Sequence, residues 1–132
     1  MEIKGYKLPN MEHKFSILVT GEESGYTFSG DFKYRRPTLR ERAMIDVMRA
    51  RYNGDLNSLD GDVQALNECL AHLRFTLIES PDWWKELGHG DKLYDANVIL
   101  EIYNKCMEFE AEWRTKTHGK PEDIKPEAQV AT

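Results

Sequence analysis

Residues 14–38, KFSILVTGEESGYTFSGDFKYRRPT, decide the fold. Apolar and polar residues alternate through 14–20, broken only by Leu18, which is the period of a half-buried strand. Residues 26–34 repeat that period with aromatic side chains, and the link 21–25 between the two runs contains two glycines. Two alternating runs joined by a short glycine-containing link predict a β-hairpin. The alternating large side chains are Phe15, Ile17, Val19, Tyr26, Phe28, Phe32 and Tyr34.

Gly30 occupies a position on the aromatic side of the second strand. A glycine there predicts either a β-bulge or the close approach of another backbone segment. A two-stranded hairpin is marginally stable in water, so its aromatic side must pack on something else. The helical remainder of the chain, or another subunit, is the available partner.

The rest of the sequence predicts helices. Pro37 ends the hairpin, and Thr38 with Glu41 matches a capping box at the start of the first helix. Ser80 and Pro81 predict the cap and the first residue of a short helix. Three longer helices are expected over Thr38–Tyr52, Asp60–Glu79 and Asp95–Arg114; in the first, Met44, Val47, Met48 and Arg51 share one face.

These elements predict an α+β, mostly α fold, with an N-terminal β-hairpin packed on a small bundle of three main helices plus one short helix. A single domain is expected over residues 1–116, followed by a flexible C-terminal tail at 117–132, where apolar residues are few.

Composition limits the class of protein. The chain has 132 residues, 40% of them apolar and 31% charged, with a net charge of −5. One core fits this length, and no apolar run approaches the 18–20 residues of a membrane span. The N-terminus lacks the apolar core of a signal peptide. The two cysteines, Cys69 and Cys106, do not form a disulfide framework, which favours a reducing compartment.

The sequence offers no recognisable catalytic, cofactor or metal motif. Its four histidines lack zinc-site spacing, and both cysteines fall in the middle of predicted helices, where a thiol packs as a small apolar side chain. No nucleophile elbow, phosphate-binding loop or dinucleotide fingerprint is present. Glu108, Glu110 and Glu112 are interpreted as solubilising charge. We therefore expect a non-enzymatic protein without a cofactor or metal.

Charge is unevenly distributed. Between Asp31 and Tyr52 lie seven basic and three acidic residues, so this segment carries +4 and the remainder −9. Six of the seven are arginines, which are suited to bidentate and interfacial contacts. Because the whole molecule is acidic, pairing within the chain or with a protein partner is favoured over nucleic-acid binding. Arg35, Arg36 and Arg40 are the candidate partner-binding residues of this segment.

Trp83 and Trp84 are further candidates for partner binding. Adjacent residues on a helix point about 100° apart, so one helix face cannot bury both rings. One ring is expected to pack on the bundle, while the other either covers the hairpin or is exposed at an interface, where tryptophan is enriched. Two core tryptophans are the alternative.

The order of these segments resembles the tail assembly chaperones of long-tailed bacteriophages. The resemblance spans about residues 14–114, and its most specific part is Pro81-Asp82-Trp83-Trp84. The other segments that carry it are SGDFKYRRPT at 29–38, ALNECLAHL at 65–73, IESPDWW at 78–84 and DANVI at 95–99.

This resemblance implies a non-enzymatic role in the host bacterial cytoplasm. Such chaperones bind the tape-measure protein, keep its apolar helices soluble and assist assembly of the tail tube, and the family often has a longer form made by ribosomal frameshifting. Tail proteins or self-association are the implied partners, and no membrane is involved. The alternatives are a structural component of the virion, such as a head–tail or tail subunit, and a small nucleic-acid-binding regulator.

Overall fold

The structure is a computed structural model and describes residues 10–54 and 61–118. It has the predicted α+β, mostly α architecture, in which a small antiparallel sheet packs on helices. In chain order the elements are β1 (Glu12–Thr20), β2 (Thr27–Arg35), α1 (Leu39–Asn53), α2 (Gly61–Thr76), β3 (Leu77–Glu79), α3 (Asp82–Glu86) and α4 (Ala96–His118).

The hairpin prediction is confirmed. β1 and β2 pair antiparallel from Glu12 opposite Arg35 to Thr20 opposite Thr27, without a register shift. The link between them is closed by a hydrogen bond of 2.8 Å from the Gly21 N–H to the Tyr26 carbonyl oxygen. The absence of a shift between these two strands means that Gly30 is not a bulge.

Gly30 instead marks a close approach, the second of the two expectations. A Cβ atom at Gly30 would lie 2.7 Å from Cγ of Pro81. The segment leading into α3 therefore rests directly on the middle of β2, and only glycine leaves room for it there.

A third strand was not predicted. The helix expected to run to Glu79 ends at Thr76, and Leu77–Glu79 pairs antiparallel with β2 at Lys33 and Tyr34. Proline disfavours helical conformation in the residue before it, so the chain must leave the helix before Ser80. The edge of β2 then supplies backbone hydrogen bonds that a helix can no longer provide.

Two predicted caps have different outcomes. At α1 the capping box is confirmed, since the Glu41 N–H donates to Thr38 Oγ1 over 3.2 Å and the Thr38 N–H donates to Glu41 Oε1 over 2.9 Å. At α3 the prediction of Ser80 as cap was wrong. Pro81 is the N-cap residue, no side chain caps the helix, and helical structure begins at Asp82.

Asp95 fastens the hairpin turn to the start of α4. One carboxylate oxygen accepts the backbone N–H groups of Glu23 and Ser24 over 2.7 and 2.9 Å, and the other accepts Ser24 Oγ over 2.6 Å. Gly21 passes so close that an added Cβ would lie 2.3 Å from the Asp95 Cγ. The free end of the hairpin is therefore fixed against the helices.

The core lies between the inner side of the sheet and α2, α3 and α4. Its buried members are Ile17, Phe32, Tyr34, Cys69, Leu70, Leu73, Trp84, Val98, Ile99, Ile102, Cys106, Phe109 and Trp113. α4 continues to His118, two residues into the segment predicted as a tail, and residues 119–132 of that segment lie outside the described residues. The predicted helix start at Asp60 also lies outside them.

Candidate protein-binding surface

α1 contributes no buried residue to the core. The face predicted from the sequence is present, but much of it is open to solvent: Val47 is 55% and Met44 is 44% exposed. α1 is nevertheless held in place, because Tyr52 Oη donates to Asp91 Oδ1 over 2.7 Å and Asn67 Nδ2 donates to Asn53 Oδ1 over 2.9 Å. The exposed face therefore belongs to an anchored helix.

A groove of about 240 Å³ runs along this face, and we call it the α1 groove. Arg40 and Arg51 lie among its lining residues at the two ends of the stretch that α1 contributes. Neither arginine forms an ion pair with any residue that the structure describes. Between them the lining is apolar: Ala43, Met44, Val47 and Met48 of α1, with Phe75 of α2.

Four of the seven basic residues between Asp31 and Tyr52 are paired within the chain, as the sequence favoured. Lys33 Nζ lies 2.9 Å from Glu12, Arg36 Nε lies 2.8 Å from Glu110, Arg35 pairs with Glu41, and Arg49 pairs with Asp46. Arg35 and Arg36 are therefore committed to the fold, whereas Arg40 lies on the α1 groove.

Arg36 belongs to a buried polar cluster that joins β2 to α4. The side chains of Arg36 and Glu110 are each 10% exposed, and the Arg36 guanidinium lies 3.6 Å above the ring of Trp113. Tyr34 Oη donates to Glu110 Oε2 over 2.6 Å and lies 3.1 Å from His72 Nε2. Burial, together with the hydrogen bond to Glu110, raises the pKa of Tyr34 well above its usual value.

Glu110 was wrongly interpreted as surface charge. Glu108 and Glu112 are exposed, but Glu110 lies on the buried side of α4 beside Phe109. The spacing of Cys106, Phe109 and Trp113 carried the signal, because Glu110 falls within that apolar seam and a carboxylate there requires partners.

The two tryptophans lie in different surroundings. Trp84 is buried in the core and meets Phe32 edge to face. Trp83 is half-buried over the hairpin, where it contacts Phe28, and its Nε1–H donates to the Ser29 carbonyl oxygen over 2.9 Å. Of the two positions expected for the ring outside the core, Trp83 therefore takes the one over the hairpin.

Side chains that could act as nucleophiles or metal ligands are dispersed or buried. Burial raises the pKa of the Cys69 thiol to about 11 and raises that of Cys106 as well. Among the residues described, no three His, Cys, Asp or Glu side chains are grouped so that they could hold a metal ion.

Helix length and polarity bear on membrane insertion. Within 10–54 and 61–118, no helix combines the length and apolar character needed to cross a bilayer.

A second concavity was not foreseen from the sequence. It is a cleft of about 350 Å³ between α1 and α4, which we call the α1–α4 cleft. Arg42, His72, Glu110 and Arg114 supply its polar lining. These residues come from three helices and are separated by up to 72 positions, so no local pattern could have predicted it.

No protein-family model, curated protein or solved structure matches this chain.

Proposed function

We propose that this chain is a non-enzymatic binding protein that acts as a bacteriophage tail assembly chaperone. In this role it binds an apolar helical segment of the tape-measure protein in the host cytoplasm until the tail tube assembles. The observation that carries the proposal is α1, an anchored helix that buries none of its residues and lines an apolar groove that no described residue covers. The resemblance in sequence supplies the identity of the partner.

The α1 groove has the dimensions and chemistry of a helix-binding site. Arg40 and Arg51 are eleven residues apart on one face, which corresponds to about 16 Å, or three helical turns. An amphipathic helix is bound in such grooves through side chains at i, i+3, i+4 and i+7. The arginines at the two ends, which no described acidic residue pairs with, favour a partner whose apolar stripe has Asp or Glu at both ends.

The proposal is tested by co-purification with fragments of the tape-measure protein encoded beside this gene. Val47→Asp should weaken the complex by about tenfold or more, because it places a carboxylate on the apolar floor of the groove. Leu18→Asp is the matched control, since Leu18 is 77% exposed on the outer face of the hairpin. Equal binding by both variants, or no complex with the unmodified chain, would contradict the proposal.

A structural component of the virion is the alternative, and one feature of the sheet favours it. β1 is nine residues long and has β2 as its one neighbour in the described sheet, so no described strand lies beside its other edge. Exposed edges of this kind pair with strands of other subunits. Mass spectrometry of purified particles separates the two roles, because a chaperone is lost during assembly and a subunit remains.

A further inference from the structure

The α1–α4 cleft lies on α1 but contains none of the residues that line the α1 groove. Its apolar lining residues are Pro37, Ile45, Met107 and Ala111. Its polar lining residues are Arg42, His72, Glu110 and Arg114. A site with both kinds of lining suits a ligand that is itself part apolar and part charged.

The charge of the cleft is positive. Glu110 is its only acidic lining residue among those described, and both of its oxygens are already engaged, one by Arg36 and one by Tyr34. Arg42 and Arg114 form no ion pair with the described residues. Two guanidinium groups from different helices therefore line one concavity, and neither is paired with a described acidic residue. Guanidinium forms its strongest hydrogen bonds with carboxylate and phosphate.

His72 does not add a positive charge to the cleft. Tyr34 has a single hydroxyl proton, which it donates to Glu110, so the Tyr34 oxygen accepts the hydrogen on His72 Nε2. Burial lowers the pKa of His72, which favours the neutral form of the ring. The binding charge therefore comes from Arg42 and Arg114 alone, and a ligand with an apolar chain matches the cleft better than a phosphate, whose oxygens would lie against its apolar lining residues.

We propose that the α1–α4 cleft binds an alkyl carboxylate, with the carboxylate between Arg42 and Arg114 and the alkyl chain against Ile45 and Met107. Either a free short-chain organic acid or the glutamate side chain of a bound protein supplies this chemistry. The proposal is independent of the α1 groove and of the partner proposed for it.

The methionines provide a direct measurement on the full chain. With methyl-labelled methionine, the Met107 signal should shift saturably as sodium hexanoate is added, while Met44 and Met48, which line the α1 groove, should not respond. Acetate should bind more weakly than hexanoate, by about tenfold or more, because it lacks the alkyl chain. Absence of a saturable Met107 shift with hexanoate and with a glutamate-containing peptide would overturn the proposal.

Two double variants test whether hexanoate binds at the α1–α4 cleft or is attracted by positive charge anywhere on the protein. Arg42→Gln with Arg114→Gln should weaken hexanoate binding by about tenfold or more, since it removes both charge-assisted hydrogen bonds. Arg40→Gln with Arg51→Gln removes the same charge from the α1 groove and should leave the hexanoate affinity unchanged. Equal losses in the two variants would overturn the proposal, as would inorganic phosphate binding as tightly as hexanoate.

Two probes distinguish the sources of the carboxylate. Hexanoate binding more tightly than the glutamate peptide supports a free acid, and the reverse order supports a protein side chain. Because the Arg42 and Arg114 variant leaves the α1 groove intact, loss of hexanoate binding with retained tape-measure binding would show that the two sites are separate. The Arg40→Gln and Arg51→Gln variant is expected to retain hexanoate binding and lose tape-measure binding.

Discussion

Trp84 and Trp83 show how strongly surroundings decide the role of a residue. Trp84 fills the core at 1% exposure, whereas Trp83 covers the hairpin and is held by its hydrogen bond to Ser29. Trp84→Ala should lower the free energy of unfolding by about 3–5 kcal/mol, the cost of a large cavity in a core. Trp83→Ala should cost about half as much, because part of that ring is already in water.

Denaturant unfolding followed by circular dichroism measures both tryptophan variants, and Trp84→Phe is the conservative control. Trp84 Nε1 is buried and has no hydrogen-bond partner within the described residues, so the phenylalanine variant loses volume but no hydrogen bond. Equal destabilisation by the two alanine variants would place both rings in equivalent packing, contrary to the structure.

His72 makes the stability of the fold depend on pH. Burial lowers the pKa of His72 below its ordinary 6.5, while Glu110 and Glu68 oppose this and Arg42 adds to it. The unfolded chain therefore binds a proton at this histidine more readily than the folded chain does. This contribution to stability is complete above about pH 6.5 and decreases as the pH falls below that value.

His72→Gln should consequently flatten the decline in unfolding free energy between about pH 7 and pH 5. Denaturant midpoints at several pH values measure the slope. His89→Asn is the comparison, because burial also lowers the pKa of His89 but that ring lies on the partly exposed turn after α3. A slope unchanged by His72→Gln would mean that the ring titrates as freely in the fold as in the unfolded chain.

At the scale of elements, local rules accounted for the hairpin, the α1 cap and the approximate bounds of the long helices. These features depend on neighbours in sequence: the alternation in β1 and β2, and Thr38 with Glu41. β3 was missed because its three residues become a strand only where the edge of β2 is available. The shared face of α1 was predicted from the sequence. Periodicity could not show whether other elements cover that face, because this depends on tertiary packing.

The hairpin turn and α4 are coupled through Asp95. The hydrogen bond from the Ser24 hydroxyl, with those from the backbone N–H groups of Ser24 and Glu23, favours the ionised form of Asp95 and lowers its pKa, against the opposing effect of burial. Asp95→Ala removes the acceptor for both backbone N–H groups, so their hydrogen exchange should accelerate several-fold while the amides in β1 and β2 keep their protection. Exchange measured by NMR at individual amides tests this, and uniform acceleration across the hairpin would show that the turn is not fastened separately.

At the scale of the whole molecule, the arrangement of charge argues against nucleic-acid binding. The net charge is −5, and Lys33, Arg35, Arg36 and Arg49 are neutralised by acidic residues of the same chain. Affinity for DNA or RNA depends on how many phosphates the free basic residues neutralise. Arg40, Arg42 and Arg51, without ion pairs in the described part of the chain, line two different concavities rather than one strip.

We therefore expect no measurable binding to double-stranded DNA or single-stranded RNA at physiological salt, in fluorescence anisotropy with labelled oligonucleotides. At low salt any residual binding should be weak and should fall steeply as salt is added, because only counterion release drives it. The Arg40→Gln and Arg51→Gln double variant then provides the decisive comparison. A tight complex of the unmodified chain that this variant abolishes would assign the α1 groove to phosphate contacts and contradict its role as a helix-binding site. If the tape-measure fragment does not displace a bound oligonucleotide, the nucleic acid binds outside the α1 groove, and the groove remains the site proposed for the protein partner.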